Sequence, residues 1–214
     1  MKSNVIPNGN AFLLIDLQND FVEGGALAVK DGSSVIPVAN QWMARFDWVV
    51  ATQDWHPPDH ASFASQHPEL AVGDQFPLGD QLQTVWPDHC VQGSKGAEFV
   101  SQLDVDQIDQ VIQKGTNREV DSYSGFFDND RRHSTGLTKA LNERGIKHLY
   151  VMGLATDYCV KASVLDAVAE GFAVTVIEDG CRGVGLALGD IDRAFHEMTR
   201  SGAKVATSSS LSLE

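Results

Sequence analysis

Cys159 is the side chain in this sequence with the greatest capacity for chemistry. It lies in the stretch Leu149–Gly171, where an apolar run leads through Thr156 and Asp157 into apolar residues at helical spacing. This pattern predicts a strand, a tight turn in which Thr156 or Asp157 caps the helix, and then a helix. Cys159 would occupy the first helical turn, where unpaired backbone N–H groups and the helix dipole favour a thiolate and could hold an oxyanion. We interpret it as a candidate nucleophile, against the alternative of a cysteine buried as core packing.

Asp16, Asp54 and Lys114 each stand at or just beyond the end of a predicted strand, and Cys159 follows another. Ligands of open α/β sheets bind outside the carboxyl ends of the parallel strands, so the four side chains would meet at one rim. Taken singly, each is more simply a turn residue or a solvated one. Together they offer a nucleophile, a carboxylate that takes and returns its proton, and an ammonium group that orients this carboxylate. Such a set suits hydrolysis of an amide through a thioester.

Asp54 and His56 form a D-x-H pair that indicates a metal site. In an extended chain, residues i and i+2 point to the same side, so the two side chains could hold one ion. The residue types leave three candidates for a third ligand, His60, His67 and His89. One carboxylate and two imidazoles leave open coordination positions and suit Zn²⁺, Fe²⁺ or Mn²⁺. Hydrogen bonding or exposure is the default interpretation of His67, His133, His148 and His196.

The elements that would position these side chains alternate between strands and helices. This alternation predicts an α/β fold with a mainly parallel central sheet and right-handed crossovers. The segment Pro57–Gly96 is longer than a connection requires, so we expect it to be functional, and Asp121–Asp128 is a second such excursion. The predicted strands are Ala11–Asp16, Trp48–Thr52, Gln110–Lys114, the run from Leu149, Phe172–Asp179 and Lys204–Thr207; the predicted helices are Ser33–Phe46, the segment after Cys159, Ser134–Arg144 and Asp190–Ser201.

Length and composition limit the class of protein. A chain of 214 residues suits one large domain, and we treat residues 1–214 as such. With 29 acidic residues, 16 basic residues and a net charge of -13, nucleic acids and anionic membranes are not expected as partners. Met1–Pro7 has no signal-peptide pattern and no stretch has the length of a membrane span, so we expect a cytoplasmic protein. The Ser-rich tail Ser208–Glu214 is expected to be loosely held.

The three cysteines are widely spaced and include no C-x-x-C pair, so reduced thiols are expected rather than disulfides. Neither Cys90 nor Cys181 stands at a predicted helix start after a strand. We therefore assign both to packing.

At these residues the sequence resembles the nicotinamidases, also called pyrazinamidases, of the isochorismatase-like cysteine hydrolase superfamily. The motifs D-x-Q-N-D-F, W-P-x-H-C and G-x-A-T-D-x-C-V in this order are a specific combination, and the match covers most of the chain. The resemblance implies the three-layer fold of that superfamily, with the central sheet flanked by helices. The matching stretches are Asp16–Phe21, Gly24–Leu27, Asp54–Pro57, Trp86–Val91, Lys114–Gly115, Asp121–Ser124 and Gly153–Val160.

The resemblance also implies a catalytic triad. Cys159 would be the nucleophile, Asp16 the general base and acid, and Lys114 the orienting cation. Backbone N–H groups of Ala155 and Cys159 would form the oxyanion hole. A cis peptide bond between Leu154 and Ala155 is a further family feature.

A divalent metal ion is the expected cofactor, with zinc first and iron or manganese as alternatives. The resemblance selects Asp54, His56 and His89 as its ligands and implies that the ion lies at the pyridine nitrogen of the substrate. His60, four residues after His56, stays open as a further ligand, and hydrogen bonding within its loop is the simpler interpretation.

The expected partner is a small molecule with a flat ring. Phe21, Trp86 and Tyr123 match family positions that wall this ring, and Ala155 is a fourth predicted substrate-binding residue. The implied reaction is hydrolysis of nicotinamide to nicotinate and ammonia through a Cys159 thioester, with pyrazinamide as a further substrate and NAD salvage as the setting. The sequence leaves open whether the chain forms a homo-oligomer.

Three other functions compete with this one. A ureido or carbamoyl amidase of the same superfamily typically lacks the metal ligands. An isochorismatase cleaves a vinyl ether and has no need of Cys159. A silent metal-binding or ligand-binding protein has no need of a complete triad.

Overall fold

The computed structural model describes residues 9–79 and 81–211. Strands and helices alternate along most of this length, as predicted. The strands are β1 (Asn10–Ile15), β2 (Val49–Asp54), β3 (Gln75–Leu78), β4 (Gln81–Thr84), β5 (Gln110–Lys114), β6 (His148–Leu154), β7 (Ala173–Arg182) and β8 (Lys204–Ala206). The α-helices are α1 (Ile36–Met43), α2 (Leu137–Glu143), α3 (Lys161–Ala169) and α4 (Asp190–Ser201), and a π-helical turn, Thr156–Val160, leads into α3.

Six of these strands form one parallel sheet in the order β5-β2-β1-β6-β7-β8. All six were predicted, with small differences at their ends. Helices flank the sheet, and the fold is the predicted three-layer α/β sandwich. From β1 the chain first proceeds towards β5 and later returns to the other side of β1 at β6. Such a reversal opens a crevice beyond the carboxyl ends of the two strands that flank it, here β1 and β6.

Strand β1 lies in the centre of the sheet because its side chains are apolar on both faces. Its residues Phe12 to Ile15 are at most 1% exposed, as expected for a parallel strand covered on both sides. The Phe12 ring stacks on Phe46, with centroids 5.0 Å apart and planes 9° apart, and Trp42 of α1 packs on the same two rings. Burial of side chains of this size contributes about 1.5–3 kcal/mol each, which holds α1 against the sheet.

Two helices begin later than predicted. The predicted helix Ser33–Phe46 consists of a 3₁₀ turn, Gly32–Val35, followed by α1, which has a proline in its first turn. The predicted helix Ser134–Arg144 begins only at Leu137 because Gly136 has a φ of +90°. Hydroxyl groups of the two residues before this glycine accept backbone N–H groups of the turn and so compete with helix formation.

The long segment Pro57–Gly96 contains an antiparallel hairpin, β3–β4, that the sequence did not predict. Each strand has only four residues, and β3 includes Pro77, which removes a ladder donor. Runs this short give no reliable period-2 signal.

Strand register brings the predicted rim residues together. Asp54 pairs with Lys114 across β2 and β5, and Ile15 pairs with Gly153 across β1 and β6. Asp16 follows Ile15 directly. The rim that the sequence predicted therefore exists, and it lies at the chain reversal between β1 and β6.

The chain ends fall partly outside the described residues, which exclude residues 1–8, and with them the predicted segment Met1–Pro7, and residues 212–214. The beginning of the tail is held, contrary to expectation. Ser208 donates from its backbone N–H and its hydroxyl to the Asp179 carboxylate at 2.6 and 2.5 Å. Within the described ranges, no helix combines the length and the apolar character that crossing a membrane requires.

Gly153 offers a test of how tightly β1 and β6 approach each other. A Cβ atom at Gly153 would lie 2.2 Å from the Ile15 carbonyl oxygen. We expect Gly153→Ala to lower the free energy of unfolding by more than about 3 kcal/mol, because backbone atoms must move. Gly73 has a φ of +94° but nothing within 4 Å of a Cβ, so Gly73→Ala should lower it by only about 1–2 kcal/mol.

Urea denaturation of the two variants measures the difference. If the two variants lost the same free energy of unfolding, backbone conformation rather than the contact with β1 would be the reason for glycine at position 153.

Candidate active site and metal centre

Lys114 lies at the centre of the site and is only 1% exposed. Its Nζ is 3.0 Å from Asp16 Oδ2 and 2.9 Å from Asp54 Oδ1, and it donates to the Ser122 carbonyl at 2.8 Å. The Sγ of Cys159 lies 3.5 Å from the same nitrogen. The three residues predicted as a triad are therefore in contact, and Asp54 joins them.

Burial controls the protonation of this group. It raises the pKa of the Cys159 thiol well above the usual range; Lys114 opposes the rise, and Asp16 and Asp54 add to it. For Lys114, burial alone would lower the pKa, but the two carboxylates raise it well above the ordinary value. Burial and the two carboxylates therefore act against the thiolate that the helix dipole was expected to favour at this position.

Asp16 is held by Thr52 of the neighbouring strand. The Thr52 hydroxyl donates to Asp16 Oδ1 at 2.5 Å and accepts the Asp16 backbone N–H at 3.2 Å. Oδ2 faces Lys114 at 3.0 Å, and the negative charge of Asp16 contributes to the raised pKa of the Cys159 thiol. Burial also raises the pKa of Asp16, with Lys114 opposing it. A carboxylate with a raised pKa beside a thiol is suited to accept its proton.

The turn that carries Cys159 differs from the prediction in its capping. The helical turn begins after Ala155 with no side-chain cap, so neither Thr156 nor Asp157 has the predicted role. The Asp157 carboxylate instead binds the loop that follows β7. The peptide bond between Leu154 and Ala155 is cis, as the resemblance implied.

The three predicted metal ligands converge beside Lys114. His56 Nε2 lies 3.2 Å and His89 Nε2 lies 3.6 Å from Asp54 Oδ2, and all three side chains are buried. One ligand atom from each lies within 4.8 Å of the other two. Asp54 therefore directs Oδ2 to the histidines and Oδ1 to Lys114.

The orientations of the two imidazoles fit a bound cation. His56 Nδ1 lies 2.9 Å from the Gly115 carbonyl oxygen, and His89 Nδ1 lies 2.7 Å from that of Pro87. Each ring can donate from Nδ1 to a backbone oxygen and direct the Nε2 lone pair inward, as metal-bound histidines commonly do. His56 Nε2 is buried without a hydrogen bond from any described residue, although Asp54 Oδ2 is near. Donor atoms that converge without bonding one another are what a metal ion requires.

Gly115 is necessary for this arrangement. It has a φ of +65°, and a Cβ atom there would lie 2.4 Å from the His56 ring. The backbone can approach the imidazole this closely only because the residue has no side chain.

His60 packs against His56, with ring centroids 4.3 Å apart. Its Nδ1 lies 2.8 Å from the Ser62 hydroxyl and its Nε2 lies 3.4 Å from the Val120 carbonyl oxygen. These partners agree with the simpler interpretation of hydrogen bonding in the loop. His56, His60 and Asp121 nevertheless form a second group with ligand atoms within 4.8 Å of each other.

An aromatic cavity opens next to Cys159. All four residues predicted to bind the substrate line it, and Trp86 Nε1 donates to the Tyr123 hydroxyl at 3.1 Å. Tyr158 also lines the cavity and meets Trp86 edge to face, with centroids 4.9 Å apart. The sequence analysis missed Tyr158 because no helical pattern indicates a π-helical turn. The lining residues are Phe21, Leu27, Asp54, Trp86, His89, Asp121, Tyr123, Ala155, Tyr158, Cys159 and Val184.

Two buried glutamines that support the site were also missed. Gln18 Nε2 donates to the Asp54 carbonyl at 2.8 Å, and its Oε1 accepts the Asp54 N–H at 2.7 Å, which fixes the end of β2. Gln83 Nε2 donates to Asp121 Oδ2 at 2.7 Å and lies 3.2 Å from the Tyr123 hydroxyl. Gln18 could have been found from the sequence because it stands in the D-x-Q motif that begins at Asp16. Gln83 had no such signal, because its strand, β4, was not predicted.

A wider cleft lies on the outer side of Asp121. Its lining carries both signs of charge, including Arg118 and Glu119, and Arg118 pairs with Asp59 at 3.1 Å. It contains none of the predicted triad residues or metal ligands. The groups with chemical capacity therefore face the smaller aromatic cavity.

The other cysteines and histidines have ordinary environments. Cys90 and Cys181 are buried and unpaired, and burial raises the pKa of Cys181 to about 12. Both fit the predicted packing role. His67 and His148 bond to nearby oxygen atoms, and the imidazole of His133 is mostly exposed.

Comparison with known proteins identifies the family of this chain. A family model, the isochorismatase domain, matches residues 10–210. The nicotinamidase of Escherichia coli strain K12 is 52% identical over 203 residues, which are 92% of this chain and 94% of that protein. A nicotinamidase and pyrazinamidase structure from Acinetobacter baumanii has a TM-score of 0.92 and 42% identity, covering 95% of this chain and 98% of its own.

A pyrazinamidase of Pyrococcus horikoshii, solved in complex with zinc, has a TM-score of 0.76 and 36% identity, covering 93% of this chain and 99% of its own. The domain match extends over nearly the whole length, and these relatives exceed 30% identity over more than two thirds of the chain. The chain therefore belongs to the isochorismatase-domain family and, within it, to the nicotinamidases.

Proposed function

We propose that this protein hydrolyses nicotinamide to nicotinate and ammonia, with Cys159 as the nucleophile, Asp16 as the proton carrier and Lys114 as the orienting cation. One observation carries the proposal: Lys114 Nζ lies 3.0 Å from Asp16 and 3.5 Å from Cys159 beside an aromatic cavity. The 52% identity to the Escherichia coli nicotinamidase supports the choice of substrate.

The first half of the reaction makes a thioester. Asp16 takes the proton of the Cys159 thiol as the sulfur attacks the carboxamide carbon, and Lys114 stabilises the negative charge that develops on the sulfur. Backbone N–H groups of Ala155 and Cys159 donate to the oxyanion. Asp16 then returns the proton to the leaving nitrogen, which departs as ammonia.

The second half releases the acid. Asp16 takes a proton from a water molecule as the oxygen of that water attacks the thioester carbon. Collapse of the second tetrahedral intermediate breaks the carbon–sulfur bond, and Asp16 returns its proton to the departing sulfur to restore the Cys159 thiol. The acid loses its remaining proton to solvent and leaves as nicotinate. One carboxylate serves both halves because Thr52 and Lys114 hold it in a single position.

Asp54, His56 and His89 are the proposed ligands of a divalent metal ion. Their donor set suits zinc first, with iron or manganese as alternatives, and the zinc complex of the Pyrococcus horikoshii relative supports this order. When bound, such an ion would act as a Lewis acid that can orient the ring through its pyridine nitrogen and polarise water.

Aromatic side chains account for the choice of a flat substrate. Phe21, Trp86 and Tyr123 line the cavity, and aromatic side chains favour an aromatic ligand. Pyrazinamide carries the same carboxamide on a similar ring, so we propose it as a second substrate. We assign the reaction to NAD salvage in the cytoplasm, and the domain match over residues 10–210 supports a single catalytic domain.

Substitution of Cys159 tests the nucleophile. The purified parent should release ammonia from nicotinamide, and Cys159→Ala should lower kcat by at least roughly 10⁴-fold, because no thioester can form. Cys181→Ala is the matched control, a buried cysteine outside the cavity, and should keep most of the activity.

Ammonia and nicotinate are measured together, with circular dichroism to verify that each variant is folded. Rapid turnover by a folded Cys159→Ala variant would refute the thioester. An inactive, metal-loaded parent would refute nicotinamide as the substrate.

Substitution of His89 tests the metal site. His89→Ala should lose most of the bound divalent metal, since two of the three proposed ligands remain, and its KM for nicotinamide should rise. Mass spectrometry of the metal content gives the first readout, independently of activity. His133→Ala, which removes a mostly exposed imidazole, should retain the metal.

His60→Ala should also retain the metal, because hydrogen bonds to Ser62 and Val120 already account for both ring nitrogens. Loss of metal from His60→Ala would add this residue to the ligands. Parental metal content in His89→Ala would remove His89 from them.

A further inference from the structure

The loop of residues 183–189, between β7 and α4, contributes one wall residue to the substrate cavity. Val184 lines the cavity together with Tyr158 and Cys159, whereas Leu188 is fully exposed. Glycines occupy the first, third and last positions of the loop. The position of Val184 therefore depends on contacts that hold a glycine-rich backbone in place.

Asp157 provides these contacts. Its Oδ1 accepts the backbone N–H of Val184 at 2.9 Å, and its Oδ2 accepts that of Gly185 at 2.8 Å. Asp157 is only 7% exposed, so these bonds to an acidic side chain are shielded from water. The loop can approach closely because residue 183 is glycine, where a Cβ atom would lie 2.9 Å from Asp157 Oδ1.

We propose that Asp157 is a positioning residue for the substrate: it binds the backbone of Val184 and Gly185 and thereby sets the width of the cavity that receives the carboxamide ring. Asp157 stands two residues before Cys159 in the same turn. The turn that carries the nucleophile thus also holds the facing loop at a fixed distance. The inference rests on the proposed function, because cavity width matters for catalysis only if the ring enters there.

Asp190, the first residue of α4, is a control for the other end of this loop. Its Oδ2 accepts the backbone N–H of Ala187 at 2.6 Å, and the same carboxylate pairs with Arg193. Asp190 therefore also binds the loop backbone through its carboxylate, but it accepts a single loop N–H and does so at the end that does not contribute to the cavity lining.

The experiment compares Asp157→Asn with Asp190→Asn. Asparagine keeps the volume but has one acceptor oxygen, and its NH₂ group would face a backbone N–H. We expect the KM of Asp157→Asn for nicotinamide to rise roughly tenfold while kcat changes by less than about threefold. Hydrogen exchange at Val184 and Gly185 should accelerate in this variant alone, and Asp190→Asn should retain the parental KM and kcat.

Val184→Ala shortens the side chain in the cavity wall but keeps the hydrogen bonds between Asp157 and the loop backbone. It therefore stays informative if Asp157→Asn fails to fold. It should raise KM while the loop exchanges at the parental rate. An unchanged KM in Val184→Ala, or a loss of kcat at constant KM in Asp157→Asn, would overturn the proposal. If the parent protein does not hydrolyse nicotinamide, only the proposed function is refuted. In that case, hydrogen exchange at Val184 and Gly185 that is unaltered in Asp157→Asn would refute the role of Asp157 in holding the loop.

Discussion

One buried positive charge, the Lys114 ammonium, determines how the rim of the sheet is built. An unpaired buried ion is unfavourable by several kcal/mol, and the same is true of the Asp16 and Asp54 carboxylates without their cation. The three groups come from the ends of β5, β1 and β2, so their pairing requires all three strands in register. The same cluster of charges places the sulfur of Cys159 next to the Lys114 ammonium group.

Asp54 connects the triad to the proposed metal centre. Burial alone would raise its pKa, but His56 and Lys114 hold it well below the usual range, so the group is a carboxylate. Each of its two oxygens serves a different half of the site. Asp54 is therefore a contact shared by Lys114 and the histidines. This shared carboxylate places the candidate metal ligands and the Cys159 thiol beside one small cavity.

Much of this arrangement could be predicted because its signals are local. The apolar run of β1 and the pattern of α4 define those elements, and parallel topology then brings Asp16 and Lys114 to one rim. Residue types alone did not decide the third ligand among His60, His67 and His89. The resemblance selected His89, and its Nε2 indeed lies 3.6 Å from Asp54 Oδ2.

What could not be predicted depends on partners that are distant in the sequence. Asp157 has the composition of a helix cap, yet its partners lie 27 and 28 residues further along the chain. The helix dipole favours a thiolate at Cys159, whereas burial and two carboxylates from other strands raise the pKa of its thiol. A local pattern therefore identified the candidate nucleophile but not the groups that raise the pKa of its thiol. A thiol with a raised pKa needs a nearby base to accept its proton before it can attack a carbonyl carbon, and Thr52 and Lys114 hold the Asp16 carboxylate as the candidate for that base.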